Sequence, residues 1–209
     1  MYALARKTKE DSQRTRDLIL DAAEQVIYAR GISLTTMANI ADAAQVSRGA
    51  VYGHYKGKVE LAIAMAERAL QNAPALERGP EEPALVYLKR YCLHEVHSYI
   101  EASSLQRVLF ILYVRIDDTP ELVSIRERWE QKRATIITQC LQAAIQEGSL
   151  AAESEVALYS LYVQAQIEGI FSILFFNHSF FNDDAAANKW EIAERLCAMG
   201  LERLTQLPR

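Results

Sequence analysis

Apolar residues recur at helical spacing along the whole chain, and neither the strict alternation of a half-buried strand nor an Asn-Gly hairpin signal is found anywhere. That periodicity predicts an all-α protein. Proline places the breaks, since inside a helix it removes a hydrogen bond and clashes with the preceding turn. No proline occurs before residue 74, and Pro74, Pro80 and Pro83 then cluster in a segment of turn residues. Four helices are predicted before this segment. Ser12 to Arg30 carries Leu18, Ile19, Ala22, Ala23, Val26 and Ile27 on one face, with Gly31 as the C-terminal cap. Thr36 to Ala44, Ser47 to Tyr55 and Lys58 to Gln71 follow. Five more are predicted after it: Leu85 to Ala102, Leu105 to Ile116, Pro120 to Glu147, Ser154 to Phe176 and Asn188 to Leu204. Thr119-Pro120 reads as a helix start and Glu147-Gly148 as its stop. About nine helices are expected.

With 209 residues, half of them hydrophobic and 24% charged, the chain has the composition of a globular protein rather than a fibrous or disordered one. Its longest apolar run, Val108 to Val114, is far short of the roughly 18 residues that span a bilayer. The opening residues turn charged at Arg6-Lys7, before a signal-peptide core can form, so a cytoplasmic location and no membrane partner are expected. Cys92, Cys140 and Cys197 are odd in number and far apart, which predicts reduced core thiols.

Residues 36 to 55 carry the strongest functional signal. In Thr36 to Ala44, Met37, Ile40, Ala41 and Ala44 share one face while Asn39 and Asp42 point outward. Gln45-Val46-Ser47 then break the chain before a second short helix, which is the layout of a helix-turn-helix. In such a unit the second helix enters the DNA major groove. Ser47 would cap it, and its hydroxyl and the helix-end amides can face a phosphate. Arg48 can pair with a guanine edge or hold a phosphate, and Gly49 allows close backbone approach. Ala50 offers apolar surface to a thymine methyl, Tyr52 and His54 can donate to phosphate oxygens, and Thr36 and Lys58 would clamp the flanking backbone. From the pattern alone, the same residues serve equally as a capped pair of core helices.

Gly31, Thr35-Thr36, Ile40-Ala41, Ala44, Val46-Ser47, Gly49, Tyr52, His54 and Lys58 match, at fixed spacing, the DNA-binding domain of the TetR family, which this stretch closely resembles. The run Ser47-Arg48-Gly49-Ala50-Val51-Tyr52-Gly53-His54 is most similar to the AcrR-like multidrug-efflux repressors, a similarity that continues more weakly through Arg107-Val108, Ile111-Leu112 and Glu168-Gly169. The resemblance implies an N-terminal three-helix helix-turn-helix domain at 1–57 and a ligand-binding and dimerisation domain at 58–209. It implies operator DNA and a small hydrophobic or drug-like effector as partners, a homodimer, and DNA contacts from Thr36, Ser47, Arg48, Gly49, Ala50, Tyr52, His54, Tyr55 and Lys58. Two positions depart from the pattern. Gln45 stands where the family has Gly, in a turn that would hold it left-handed, and Tyr55 stands where it has Phe, so its hydroxyl needs a partner.

A net charge of −4 argues at first against DNA. The charge is unevenly distributed. Residues 1–60 hold nine Lys and Arg against seven Asp and Glu, a net of +2, leaving 14 basic and 20 acidic residues, a net of −6, in the rest. Five of the nine lie in the first 16 residues, where an N-terminal arm and the first helix could meet phosphate or a minor groove.

Leu109, Phe110, Leu112 and Tyr113, and then Val163, Ile167, Ile170, Phe171, Leu174 and Phe175, make two helices apolar almost all round, as buried helices are. By resemblance, Leu109, Tyr113, Ile167, Glu168 and Phe171 match positions lining an apolar drug pocket, with Glu168 its one carboxylate. On the residues alone, the aromatics serve equally as core and Glu168 as the partner of Arg107 or Arg115. The last two helices are expected to dimerise through Tyr159, Tyr162, Leu196, Met199 and Leu204. Other readings stay open: a metal or redox sensor using Cys92, His94, Glu95 and His97, or a helical adaptor without DNA affinity. Phosphate-loop, nucleophile-elbow and zinc-helix motifs are missing, so neither an enzyme nor a cofactor is expected.

Overall fold

The computed structural model describes residues 2–116, 119–176 and 185–206, the side chains of residues 2–8, 175, 176, 185–188, 203, 205 and 206 excepted. Among them run nine α-helices: α1 (Tyr2–Arg30), α2 (Met37–Ala44), α3 (Arg48–His54), α4 (Lys58–Gln71), α5 (Ala84–Ile100), α6 (Ser104–Phe110), α7 (Pro120–Gln146), α8 (Val156–Phe176) and α9 (Ala185–Gln206). The described residues hold no strand, and no described helix is long and apolar enough to cross a membrane. The chain divides into two compact units, Met1–Ala73 with Ala102–Arg128 and Pro74–Glu101 with Trp129–Arg209. The first break falls at the proline cluster. The division expected at residue 57 lies inside the first unit, because the helix that follows it, α4, buries Leu61, Ala62 and Met65 in that unit's core.

That core joins Ile19, Ala23 and Ile27 of α1 to Ile40 and Ala41 of α2, Val51 of α3, and Val108 of α6. Helix α1 begins ten residues earlier than the periodicity suggested. Residues 2–11 contain neither Gly nor Pro and are rich in good helix formers, so nothing ends the helix before Tyr2. The segment expected as an arm is thus helical, and the side chains of Arg6 and Lys7 lie outside the described residues. At its other end α1 stops on Gly31, whose φ of 80° is reached without a Cβ penalty and whose N–H donates to the Ile27 carbonyl at 2.8 Å.

Helix α2 is closed at both ends. Thr36 forms a capping box with Asn39, each side chain accepting from the other's backbone N–H at 3.1 Å. Gln45 takes the left-handed conformation, φ 55° and ψ 39°, and its N–H and that of Val46 return to carbonyls of α2. Helix α6, expected to continue to Ile116, changes at Ile111 into a π-helical stretch, Ile111–Arg115. The Arg115 carbonyl there accepts from Ile32 N at 3.3 Å. Glu24 of α1, buried, takes Arg107 Nε at 2.6 Å and the Ser104 hydroxyl, both from α6.

In the second unit, α5, α8 and α9 pack together. The proline-rich segment is tied down there: Tyr87 donates to the Leu76 carbonyl at 2.8 Å, Arg78 pairs with Glu147, and Arg90 reaches Glu82 at 2.8 Å. Helix α7, whose residues 129–146 belong to this unit, ends at Gly148, with φ 73°. A polar cluster sits inside. Arg133 of α7 is 1% exposed, donating to the Tyr99 hydroxyl at 3.0 Å and to Glu168 Oε1 at 2.8 Å. Glu95, also buried, holds a hydrogen bond with Tyr91. Burial pushes the Glu95 carboxyl above its usual 4.5, against the pull of Arg133 and Tyr91.

Two outcomes are expected. Gln45→Gly removes left-handed strain at the cost of some chain entropy, and should stabilise the fold by about 1 kcal/mol, read as a higher urea midpoint; a lower midpoint would show that the Gln45 side chain compensates for its conformation. Glu95 keeps its proton to higher pH in the folded than in the unfolded chain. Its contribution is therefore full below about pH 4.5 and is lost as the pH rises through the raised value. Thermal midpoints measured over that range should fall more steeply for the wild type than for Glu95→Gln, and equal slopes would contradict the assignment.

Candidate nucleic-acid interface

Helix α3 has seven residues, and two buried side chains anchor it. Val51 is fully buried, and one turn on Tyr55, its C-cap, is buried as well. Ser47 caps the other end, its Oγ accepting from Ala50 N at 3.1 Å. The helical period then turns Arg48, Gly49 and Tyr52 the other way, all exposed, with Ala50 and His54 half-buried beside them. Tyr52 is 58% exposed, an aromatic ring that the fold itself does not cover.

The helix also contains two exposed glycines, each of which costs a helix interior roughly 0.5–1 kcal/mol relative to Ala. A Cβ at Gly49 would meet Ser47 Oγ at an ordinary 3.8 Å, and one at Gly53 would meet nothing within 4 Å. Packing within the chain therefore does not demand either. Gly53 is exposed beside Tyr52 and thereby joins Gly49 on the candidate face, where a missing Cβ leaves room for close approach from outside.

Two of the expected contact residues are engaged within the fold. Tyr55 does not share the exposed face: its ring is in the core, and its hydroxyl accepts from Arg16 Nε of α1 at 3.1 Å. Arg16 is thus the partner that this departure from the family pattern required. Lys58 is half-buried, and its Nζ donates to the carbonyls of Ile32 and Ser33 at 2.9 and 3.1 Å, tying the start of α4 to the loop after α1. Thr36 is exposed at the start of α2, with its hydroxyl hydrogen-bonded to Asn39 Oδ1 at 2.8 Å.

Leu109, buried, and Tyr113, half-buried, belong to the first unit, whereas Ile167, Glu168 and Phe171 belong to the second. Glu168 pairs with Arg133 and not with Arg107 or Arg115; Arg107 is taken by Glu24. Phe171 packs against Tyr99, the ring centroids 4.7 Å apart and the planes tilted by 54°. Arg133 escaped the sequence reading because it stands in the charged run Arg126 to Arg133, which reads as a solvated face. Among the expected dimer contacts, Met199 is 67% exposed, Tyr159, Tyr162 and Leu196 are half-buried, and Leu204 is buried in its own unit. Leu158 and Leu161 add two exposed apolar side chains on α8. His94 contacts the Pro74 carbonyl at 3.1 Å and His97 contacts Glu101 at 3.2 Å, so these histidines face separate partners; among the described residues no three His, Cys, Asp or Glu gather as metal ligands. All three cysteines are free and buried.

Comparison with known proteins agrees with this geometry. Residues 19–65 match the family described as bacterial regulatory proteins, tetR family. The chain is 32% identical over 151 residues to the transcriptional regulator SrpR of Pseudomonas putida, covering 70% of this chain and 68% of that one. The crystal structure of MexZ, a key repressor responsible for antibiotic resistance in Pseudomonas aeruginosa, superimposes with a TM-score of 0.83 at 38% identity, covering 94% of this chain and 97% of that chain. That of NalD, the secondary repressor of the MexAB-OprM multidrug efflux pump in the same organism, gives 0.67 at 30% identity, covering 89% and 96%. With its helix-turn-helix built and its reader helix exposed, the chain belongs to the TetR family of bacterial transcriptional regulators.

Proposed function

We propose that this regulator binds a palindromic operator as a homodimer, represses the genes of a multidrug efflux pump, and releases the DNA when a hydrophobic, drug-like compound binds its C-terminal region. The exposed face of α3 carries the reading: Arg48, Gly49 and Tyr52 stand clear of the fold on a helix whose other side is fixed in the core. Ser47, Ala50 and His54 flank them, and Thr36 and Lys58 border the site. Residues 1–57 are the proposed reader and helices α8 and α9 of the second unit the proposed effector and dimer region, acting in the cytoplasm, where bacterial DNA lies. Similarity to MexZ and NalD, both repressors, supports the direction of control.

Pairing two copies has a physical motive, since two reader helices about 34 to 36 Å apart select one palindrome from many single half-sites. Exposed Leu158, Leu161 and Met199 on α8 and α9 supply apolar surface for it. For the effector, Ile167, Glu168 and Phe171, all of the second unit, are the proposed lining. Glu168 has a further part here, because a ligand that competes for its carboxylate must separate it from the buried Arg133 guanidinium. Binding would thus discriminate between two arrangements of the same pair, as a shift of equilibrium requires.

In a gel-shift titration with the DNA upstream of its own gene, saturable binding that weakens steeply with salt is expected. Arg48→Ala and Tyr52→Ala should each weaken it by about 1–3 kcal/mol, roughly 5- to 150-fold, with the far-ultraviolet circular dichroism unchanged. No preference over random DNA would sink the proposal. In the same assay a hydrophobic dye should release the wild-type complex, while Phe171→Ala should shift the dye concentration needed and leave dye-free affinity as it was. An unchanged dye response would remove Phe171 from the pocket.

A further inference from the structure

We propose that Cys92 and Cys197 form a two-thiolate site for a soft, two-coordinate metal cation, and that mercuric ion is the member of that class it fits. Cys92 lies on α5 and Cys197 on α9, both buried, and both line one small cavity within the second unit. Tyr162, Gln166, Ile167 and Gly200 share its wall. At Gly200 a Cβ would run into the Gln166 side chain, so its absence lets α9 close against α8. The Gln166 amide is occupied, donating to the Tyr162 hydroxyl at 3.1 Å, and the two sulfurs are the soft donors of the cavity.

Size and charge select the ligand. The cavity has room for about one water, which excludes a drug-sized molecule and admits a single ion. Zinc needs four ligands, and no third His, Cys, Asp or Glu joins the pair among the described residues. Mercuric ion is satisfied by two thiolates in a line. On binding, two S–H bonds break, two Hg–S bonds form and two protons leave to solvent, with no change of oxidation state. The product is neutral. A monovalent ion such as silver would instead leave one negative charge in apolar surroundings, which is costly.

The site lies in the second unit and requires no part of the DNA reading. Its test is to load the full-length, reduced protein with one equivalent of mercuric chloride and strip it with mercaptoethanol. Retention of one ion per chain is expected, with two sulfur neighbours in the mercury X-ray absorption spectrum. Stripping should need roughly 100-fold more monothiol than for Cys92→Ala or Cys197→Ala, the gain expected of two linked ligands over one. Cys140→Ala, which alters a cysteine outside the cavity, should behave as the wild type. One or three sulfur neighbours, or dependence on Cys140, would overturn the proposal, and silver held as tightly as mercury would overturn the choice of ion. Should either cavity variant fail to fold, the sulfur count in the wild-type spectrum decides alone.

Discussion

A seven-residue helix has no stability of its own in water, because the cost of nucleation is not recovered over so few hydrogen bonds. Helix α3 exists through the burial of Val51 and Tyr55 against the first unit's core. Everything exposed on its far side inherits its position from those two side chains. The hydrogen bond from Arg16 to the Tyr55 hydroxyl fixes the ring to α1, so the orientation of the exposed face is set by the longest helix of the unit. The capping box on α2 and the left-handed Gln45 then fix where α3 begins.

The first unit also extends beyond its helix-turn-helix. The buried Glu24 carboxylate is held by two groups of α6, and the carbonyl freed at the π-helical stretch is taken by the loop after α1. Removing one member of a buried ion pair typically costs 3–5 kcal/mol, whereas exposed pairs contribute little. Helix α6 therefore moves with α1 or strains it. Stretches of π-helix recur where a helix must change course at a functional position, and here one stands where the first unit's N-terminal helices meet its returning segment.

Most of the fold was legible in the sequence because caps and breakers act locally. Gly31, Thr36, Ser47 and Gly148 each end or start a helix where their chemistry requires, and α4 was bounded to the residue. Arg48 and Tyr52, one helical turn apart, fall on one face by period, and both are exposed. What escaped depended on contacts distant in sequence. Tyr55 and Lys58 looked available, yet a hydroxyl or an ammonium is exposed or engaged according to partners 39 and 26 residues away. Arg133 looked solvated and is interior because Tyr99 and Glu168, on other helices, receive it. The π-helical change at Ile111 has no local signature in a run of seven apolar residues.

The two bare glycines of α3 have a consequence for how such a protein diversifies. Most positions in a reader helix are bound twice, once by the fold and once by the ligand, so a change that alters recognition also threatens stability. Gly53 has open space around its missing side chain, and Gly49 has nearly so. The fold would accept many residues at either site, and Ala would even favour the helix. At these two positions the fold itself sets little constraint, so the outer face of the helix can change there without unseating the side that anchors it.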